Sequence, residues 1–226
     1  MLAHKALRHG YYWPTMKADA VDLVVKCQKC QLNQPISHVP SNPYNAISAP
    51  WPFAQWGIDI MGPLHRARCQ SKFLVVAIDY FTKWVEAKAL ATITASVMKD
   101  FVWQNIVCRF GIPRVIISDG GKQFDCSEFD SFCAGLHIQH RLSSVAYPQS
   151  NGQTEVTNRT IKQGLKTRLD KAKGAWVDEV HNVLWSYRTT PRTSTGETPF
   201  SLAFGVEAVV PVELGLASLR AQTHNE

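Results

Sequence analysis

The chain has 226 residues, of which 45% are hydrophobic, and it carries a formal charge of +6 with a pI near 9.0. This length allows one large domain with a small appendage, and the hydrophobic content is sufficient for a core. The sequence contains no apolar run as long as the roughly 18 residues of a membrane span and no signal-peptide core, so no membrane partner is expected. The basic charge weakly favours a polyanionic partner.

Residues 1–34 are predicted to form a small N-terminal unit. The segment 18–30 has apolar residues at helical spacing and ends in Cys27-x-x-Cys30, which is a zinc-knuckle spacing. No other pair of the six cysteines shows a motif spacing, so we expect a reducing compartment and no disulfide framework. Residues 35–52 contain five prolines and are predicted to be a linker.

The main domain is predicted to span residues 53–205, followed by a tail at 206–226. Continuous or alternating apolar runs predict strands at 73–79, 81–90 and 115–119. Apolar stripes predict helices at 94–110 and 176–187, the first ending at Gly111. Ser127 with Asp130 resembles a capping box that opens a further helix. Strands that alternate with helices indicate an α/β domain with a mixed sheet.

Three acidic residues carry the functional prediction. Asp59 lies in Q-W-G-I-D-I-M-G-P, Asp119 ends the run V-I-I-S-D, and Glu155 follows Y-P-Q-S-N-G-Q-T. Taken singly, each is more often a solvated carboxylate or a helix cap. Taken together, they are hard oxygen ligands that suit two divalent metal ions, with Asp59 as the best candidate for the bridging ligand.

A row of cations follows Glu155. Arg159, Lys162 and Lys166 lie four, seven and eleven residues after it, along one face of a predicted helix. Such a row would bind the phosphate backbone of a nucleic acid. The alternative is an ordinary solvated helix face.

These segments resemble a known family. W-P-F-A-Q-W-G-I-D-I-M-G-P-L, F-G-I-P-R-V-I-I-S-D, Y-P-Q-S-N-G-Q-T-E-V-T-N-R-T and W-S-Y-R-T-T-P-R-T-S-T-G-E-T-P-F are similar to integrases of long-terminal-repeat retrotransposons, most of all plant Ty3/gypsy elements. The resemblance runs from about Leu2 to about Pro211. The spacing of 35 residues between Asp119 and Glu155 is itself typical of that family.

The resemblance implies an RNase H-like core with a five-stranded mixed sheet flanked by helices. It also implies two Mg2+ or Mn2+ ions held by the three acids, 3′-end processing of element DNA, and strand transfer into target DNA. The partners would be element ends, target DNA and further copies of the chain in a homo-oligomer. The protein would act in the nucleus after assembly in a cytoplasmic particle. The residues expected near DNA are Tyr147, Gln149, Asn151, Arg159, Lys162 and Lys166, the first two in a mobile loop with Pro148.

The N-terminal unit departs from the family pattern. Such integrases hold zinc with two histidines and two cysteines, but only 17 residues separate His9 from Cys27, fewer than the family usually has. We therefore expect His4 and His9 not to bind zinc, which leaves Cys27 and Cys30 as an incomplete site in an N-terminally clipped domain.

Two further departures concern activity. Gly120 follows Asp119 where relatives usually have Asn, and the chain ends before the C-terminal DNA-binding module expected of such integrases. Two alternatives therefore stay open. The chain could be a catalytically impaired module for nucleic-acid binding or oligomerisation, or it could be an RNase H-like transposase or nuclease.

Overall fold

The computed structural model describes residues 2–28, 49–142 and 175–209. These residues form two compact units. Residues 49–142 and 175–185 make up the larger unit, and residues 2–28 and 186–209 make up the smaller one. The domain boundaries given above stay predictions.

The larger unit is built on a five-stranded sheet. Its strands are β1 (Gln55–Met61), β2 (Phe73–Asp79), β3 (Val85–Leu90), β4 (Val115–Ser118) and β5 (Gln139–Leu142). Their order across the sheet is β3-β2-β1-β4-β5. β1, β2 and β3 pair antiparallel, whereas β4 is parallel to both β1 and β5. The predicted five-stranded mixed sheet is confirmed.

The described helices lie before, between and after these strands in the sequence. They are α1 (Leu2–Arg8), α2 (Met16–Lys26), α3 (Ala95–Phe101), α4 (Ser127–Gly135), α5 (Trp176–Arg188) and α6 (Pro199–Phe204). α3 continues through π-helical turns at Val102–Val107 and a last α-turn at Cys108–Phe110. No helix among the described residues is long and apolar enough to cross a membrane.

The core of the larger unit follows the apolar runs in the sequence. The side chains of β2 are buried from Leu74 to Asp79, as expected for a strand covered on both faces. Met98, Phe101 and Ile106 are the buried stripe of α3 and its continuation. The helix ends where predicted, since Gly111 has a φ of +88°, a conformation that favours glycine.

The segment 81–84 is a turn, so the strand predicted at 81–90 begins only at Val85. The cause is Asp79, whose buried carboxylate accepts hydrogen bonds from the Thr82 amide at 2.8 Å and from the Thr82 hydroxyl at 2.7 Å. Burial raises the pKa of Asp79 above its usual value, and the bonds from Thr82 oppose that shift. Asp79 is therefore a turn-forming acid.

The capping box predicted from Ser127 and Asp130 is wrong. The residue that precedes α4 is Cys126, and no side chain caps this helix. Asp130 instead directs its carboxylate to His140, with Oδ1 2.7 Å from Nδ1. The predicted apolar face is confirmed, because Phe129 and Cys133 are both buried.

The smaller unit is held by an arginine. The Arg8 guanidinium lies 2.6 Å from a carboxylate oxygen of Glu197 and 2.6 Å from one of Glu207. Lys5 donates to the Thr189 hydroxyl at 3.0 Å. The hydrogen bond from Arg8 is the main cause that lowers the pKa of Glu197. These long-range contacts join α1 to residues 186–209 within this unit.

Replacement of Ile116 by alanine tests the core of the sheet. Ile116 is fully buried in β4, whereas Ile112 is 58% exposed just before that strand. Ile116→Ala is expected to lower the free energy of unfolding by about 2–5 kcal/mol, because the substitution leaves a cavity. Ile112→Ala is the matched control, with an expected change within about 0.5 kcal/mol. Urea unfolding measures both, and equal losses would contradict the assignment of β4 to the core.

Candidate metal site

Two of the three predicted acids lie at one edge of the sheet. The parallel pairing of β1 with β4 ends at Ile58 and Ser118, which face each other in register. Asp59 and Asp119 are the next residues of the two strands. Neighbouring strands are about 4.8 Å apart, and residues in register project to the same face. The fold therefore brings together two carboxylates that are separated by 59 intervening residues in the sequence.

Both carboxylates are half-buried and contact the main chain. Asp59 Oδ1 accepts a hydrogen bond from the Ile60 amide at 2.8 Å, and Asp119 Oδ1 accepts one from the Gly121 amide at 3.3 Å. An ionised carboxylate has about four acceptor positions, so these bonds leave each group able to coordinate a cation.

The residues present fit a hard divalent cation. Mg2+ and Mn2+ prefer oxygen ligands, and the partial exposure of Asp59 and Asp119 leaves room for water and substrate ligands. Glu155, the third predicted ligand, lies outside the described residues. Among the described residues, no group of three or more His, Cys, Asp or Glu side chains is arranged to hold a metal ion. The site as described is a pair of acids.

The predicted DNA contacts also lie outside the described residues. This applies to Tyr147, Gln149, Asn151, Arg159, Lys162 and Lys166, all of which belong to the segment 143–174. Their roles stay predictions.

The predicted zinc ligands are only partly described. Cys27 is half-buried directly after α2, and Cys30 lies outside the described residues. His4 is exposed and His9 is buried. Whether any of them binds zinc stays a prediction.

The remaining described cysteines carry no disulfide. Cys133, in α4, is the buried one, and burial raises the pKa of its thiol to about 12. At neutral pH it is therefore a protonated thiol that packs in the core.

Sequence reasoning missed a polar cluster behind Asp119. The Ser118 hydroxyl lies 2.9 Å from Nε2 of His140, and the other ring nitrogen of His140 meets Asp130. β4, β5 and α4 each contribute one of these residues. The only available signal was the parallel register that pairs Ile116 with His140, which the sequence does not reveal.

Two family models match the chain. Residues 49–148 match the integrase core domain, and residues 3–36 match the integrase zinc binding domain. The first match contains β1 and β4 together with Asp59 and Asp119.

Residues 49–148 are therefore similar to an integrase core domain.

Relatives and solved structures agree with this assignment. The chain is 31% identical over 208 residues to the Gag-Pol polyprotein of avian reticuloendotheliosis virus, covering 90% of the chain and 18% of the relative. It is 27% identical over 207 residues to the transposon Tf2-3 polyprotein of Schizosaccharomyces pombe, covering 90% and 16%. The chain thus spans less than a fifth of the length of these curated relatives.

Two solved structures share the fold. The HTLV-2 integrase catalytic core domain in complex with magnesium has a TM-score of 0.56 at 24% identity, covering 69% of this chain and 99% of that one. A chain of the simian T-cell lymphotropic virus intasome in complex with PP2A regulatory subunit B56 gamma has a TM-score of 0.63 at 20% identity, covering 93% of this chain and 79% of that one. The predicted RNase H-like fold is therefore confirmed.

Replacement of Gly120 by asparagine tests whether the glycine after Asp119 is required by the backbone. Gly120 is exposed, lacks a positive φ, and has no atom within 4 Å of the position of a Cβ. Gly120→Asn is expected to change the free energy of unfolding by no more than about 0.5 kcal/mol. Thermal or urea unfolding measures this.

The matched control is Gly62→Asn. Gly62 has a φ of +146°, and a Cβ there would lie 2.8 Å from the Lys72 carbonyl oxygen. This substitution is expected to cost more than about 1 kcal/mol. Equal destabilisation by the two substitutions would show that Gly120 is also constrained.

Proposed function

We propose that this chain is the integrase portion of a retroelement polyprotein and that it joins element DNA to target DNA by polynucleotidyl transfer. The observation that carries this proposal is the register of β1 and β4, which places Asp59 and Asp119 side by side within the segment that matches the integrase core domain. The retroviral and transposon relatives support the retroelement origin. The plant Ty3/gypsy origin and the clipped N-terminus stay predictions.

The reaction consists of two displacements at phosphorus. In the first, the oxygen of a water molecule attacks a phosphate near the end of the element DNA, and the bond to the 3′ oxygen breaks to leave a free 3′-OH. In the second, that 3′-OH attacks a phosphate of the target DNA and breaks its bond to the adjoining 3′ oxygen. One phosphodiester forms for each one broken in the second step, so it requires no external energy source.

Asp59, Asp119 and Glu155 would hold the divalent cations. Two such cations, when bound, stabilise the charge on the attacking and leaving oxygens of an in-line displacement. Asp59 and Asp119 can coordinate the cations together only if their carboxylates stay fixed relative to each other. Asp59 lies in β1 and Asp119 directly follows β4, and attachment to these paired strands supplies that rigidity, since sites on strands are held better than sites on loops.

A basic hairpin supports the proposal that the partner is a nucleic acid. The segment between β1 and β2 contains His65, Arg66, Arg68 and Lys72 and no acid. The Leu64 amide donates to the Lys72 carbonyl and the Ala67 amide to the Ser71 carbonyl, so the hairpin has a defined conformation. A guanidinium nitrogen of Arg68 lies 3.9 Å from a carboxylate oxygen of Asp178. Both side chains are exposed, so this ion pair contributes little to stability. These cations would contact DNA phosphates.

The assembly is proposed to be a homo-oligomer on paired DNA ends. The HTLV-2 core domain occurs in dimeric and trimeric forms, and the simian virus protein occurs in an intasome. Action in the nucleus after transit in a cytoplasmic particle belongs to the same proposal, as does zinc binding by the N-terminal unit.

A strand-transfer assay tests the proposal. The purified protein receives Mn2+, a labelled duplex that ends in the element's terminal sequence, and plasmid target DNA. The wild-type chain is expected to give joined products, and Asp119→Ala is expected to give none, because the substitution removes one of the paired carboxylates. Asp178→Ala, which removes an exposed carboxylate on α5, is the control and is expected to retain joining.

Two results would contradict the proposal. DNA binding without products from the wild-type chain would indicate a non-enzymatic module, and cleavage without joining would indicate a nuclease. Restoration of joining by Gly120→Asn in an inactive wild-type chain would assign the defect to that single position.

A further inference from the structure

A series of hydrogen bonds extends from the main chain of Asp119 into the protein. Metal coordination by Asp119 does not itself require these bonds. The Ser118 hydroxyl donates to the carbonyl oxygen of Asp119 at 3.1 Å and lies 2.9 Å from Nε2 of His140. Nδ1 of His140 lies 2.7 Å from Oδ1 of Asp130. The series Asp130–His140–Ser118, here called the Ser118 network, thus runs from the surface of α4 to the end of β4.

The burial of the Ser118 network excludes a nucleophilic role. A serine, a histidine and an aspartate in this order could suggest a hydrolytic triad. However, Ser118 is 0% exposed, so no substrate reaches its hydroxyl. The His140 side chain is 7% exposed and packs edge-on against the Phe129 ring at a centroid distance of 5.0 Å. Only Asp130 is exposed, at 58%.

The donors and acceptors of the network are mutually consistent. The Ser118 hydroxyl donates to the Asp119 carbonyl, and its oxygen lies within hydrogen-bond distance of Nε2 of His140. Nδ1 of His140 lies within hydrogen-bond distance of the Asp130 carboxylate, and the donor at each ring nitrogen follows the tautomer of the ring. A buried polar series in which every member is satisfied is rigid.

Two hydrogen bonds hold the main chain at and directly after Asp119. Ser118 holds the carbonyl of Asp119, and the Asp119 carboxylate accepts from the amide of Gly121 two residues later. Gly120, which lies between them, has no side chain to contribute. The orientation of the peptide after Asp119 therefore depends on Ser118, and the orientation of Ser118 depends on His140 and Asp130.

We infer that Ser118, His140 and Asp130 are positioning residues that set the Asp119 carboxylate for divalent-metal binding. This inference rests on the proposed role of Asp119 as a metal ligand. Groups that hydrogen-bond to a ligand, without touching the metal, commonly change metal affinity by about 10- to 100-fold. Through this network, Asp130, an exposed aspartate on α4, would influence the metal site at the end of β4.

Mn2+ binding to the full chain in the absence of DNA tests the inference, with isothermal titration calorimetry as the readout. Asp119→Ala defines the signal that belongs to the paired acids. Ser118→Ala removes the central hydroxyl, and Asp130→Ala removes the outer carboxylate. Both are expected to raise the Kd for Mn2+ about tenfold. Asp130→Glu keeps a carboxylate and is expected to recover most of the affinity.

Glu128→Ala is the matched control. Glu128 and Asp130 are both acids of the first turn of α4, with side chains 53% and 58% exposed, but Glu128 pairs with Lys99 at 2.6 Å, away from β4. The two alanine variants thus lose the same charge from the same helix end. A purely structural role predicts equal effects, whereas the Ser118 network predicts weaker Mn2+ binding for Asp130→Ala alone. The thermal midpoint without metal, measured on each variant, separates loss of fold from loss of positioning.

The outcomes separate this inference from the integration proposal. A higher Kd for Ser118→Ala and Asp130→Ala, with an unchanged Kd for Glu128→Ala, supports the inference even if the chain fails to join DNA. Wild-type Mn2+ affinity in both Ser118→Ala and Asp130→Ala overturns it even if strand transfer is intact. Equal weakening by Asp130→Ala and Glu128→Ala also overturns it.

Discussion

The parallel register between β1 and β4 is the constraint on which the site depends. It ends at Ile58 and Ser118, so that Asp59 and Asp119 follow at the same edge of the sheet. A shift of one residue in either strand would turn one carboxylate to the opposite face, because side chains alternate along a strand. The buried side chains of β1 and β4, including Trp56, Ile58 and Ile116, make that shift costly. Core packing therefore fixes the spacing of the two acids.

Much of this fold is predictable from the sequence. The run F-L-V-V-A-I-D is apolar throughout because β2 is covered on both faces, and the apolar stripe of α3 ends at a glycine because the helix ends there. Asp59 and Asp119 can also be singled out from the sequence. A carboxylate within or at the end of a buried strand is costly to bury unless it is paired or coordinates a metal ion. The resemblance to retrotransposon integrases implies that those acids form one site, and the segment that matches the integrase core domain contains both Asp59 and Asp119.

Other features depend on long-range pairing that the sequence does not display. Asp79 ends an apolar run just as Asp119 does, yet β2 is antiparallel to β1, so Asp79 lies opposite Trp56 and serves a turn. Asp130 has the spacing of a capping residue, but its carboxylate contacts His140 on β5. Local patterns identify acids beside strands, whereas strand direction and register decide which of them share a site. That distinction explains why sequence patterns indicate Asp59 and Asp119 but do not indicate the Ser118 network.

The position of bound Mn2+ shows directly whether Asp59 and Asp119 coordinate the same metal ion. Crystals of the chain grown or soaked with Mn2+ would locate the ion by its anomalous scattering. We expect an ion with carboxylate oxygens of both Asp59 and Asp119 about 2.1 Å away, and loss of that ion in Asp119→Ala. Mn2+ bound only elsewhere, with the two carboxylates of Asp59 and Asp119 not sharing an ion, would contradict it.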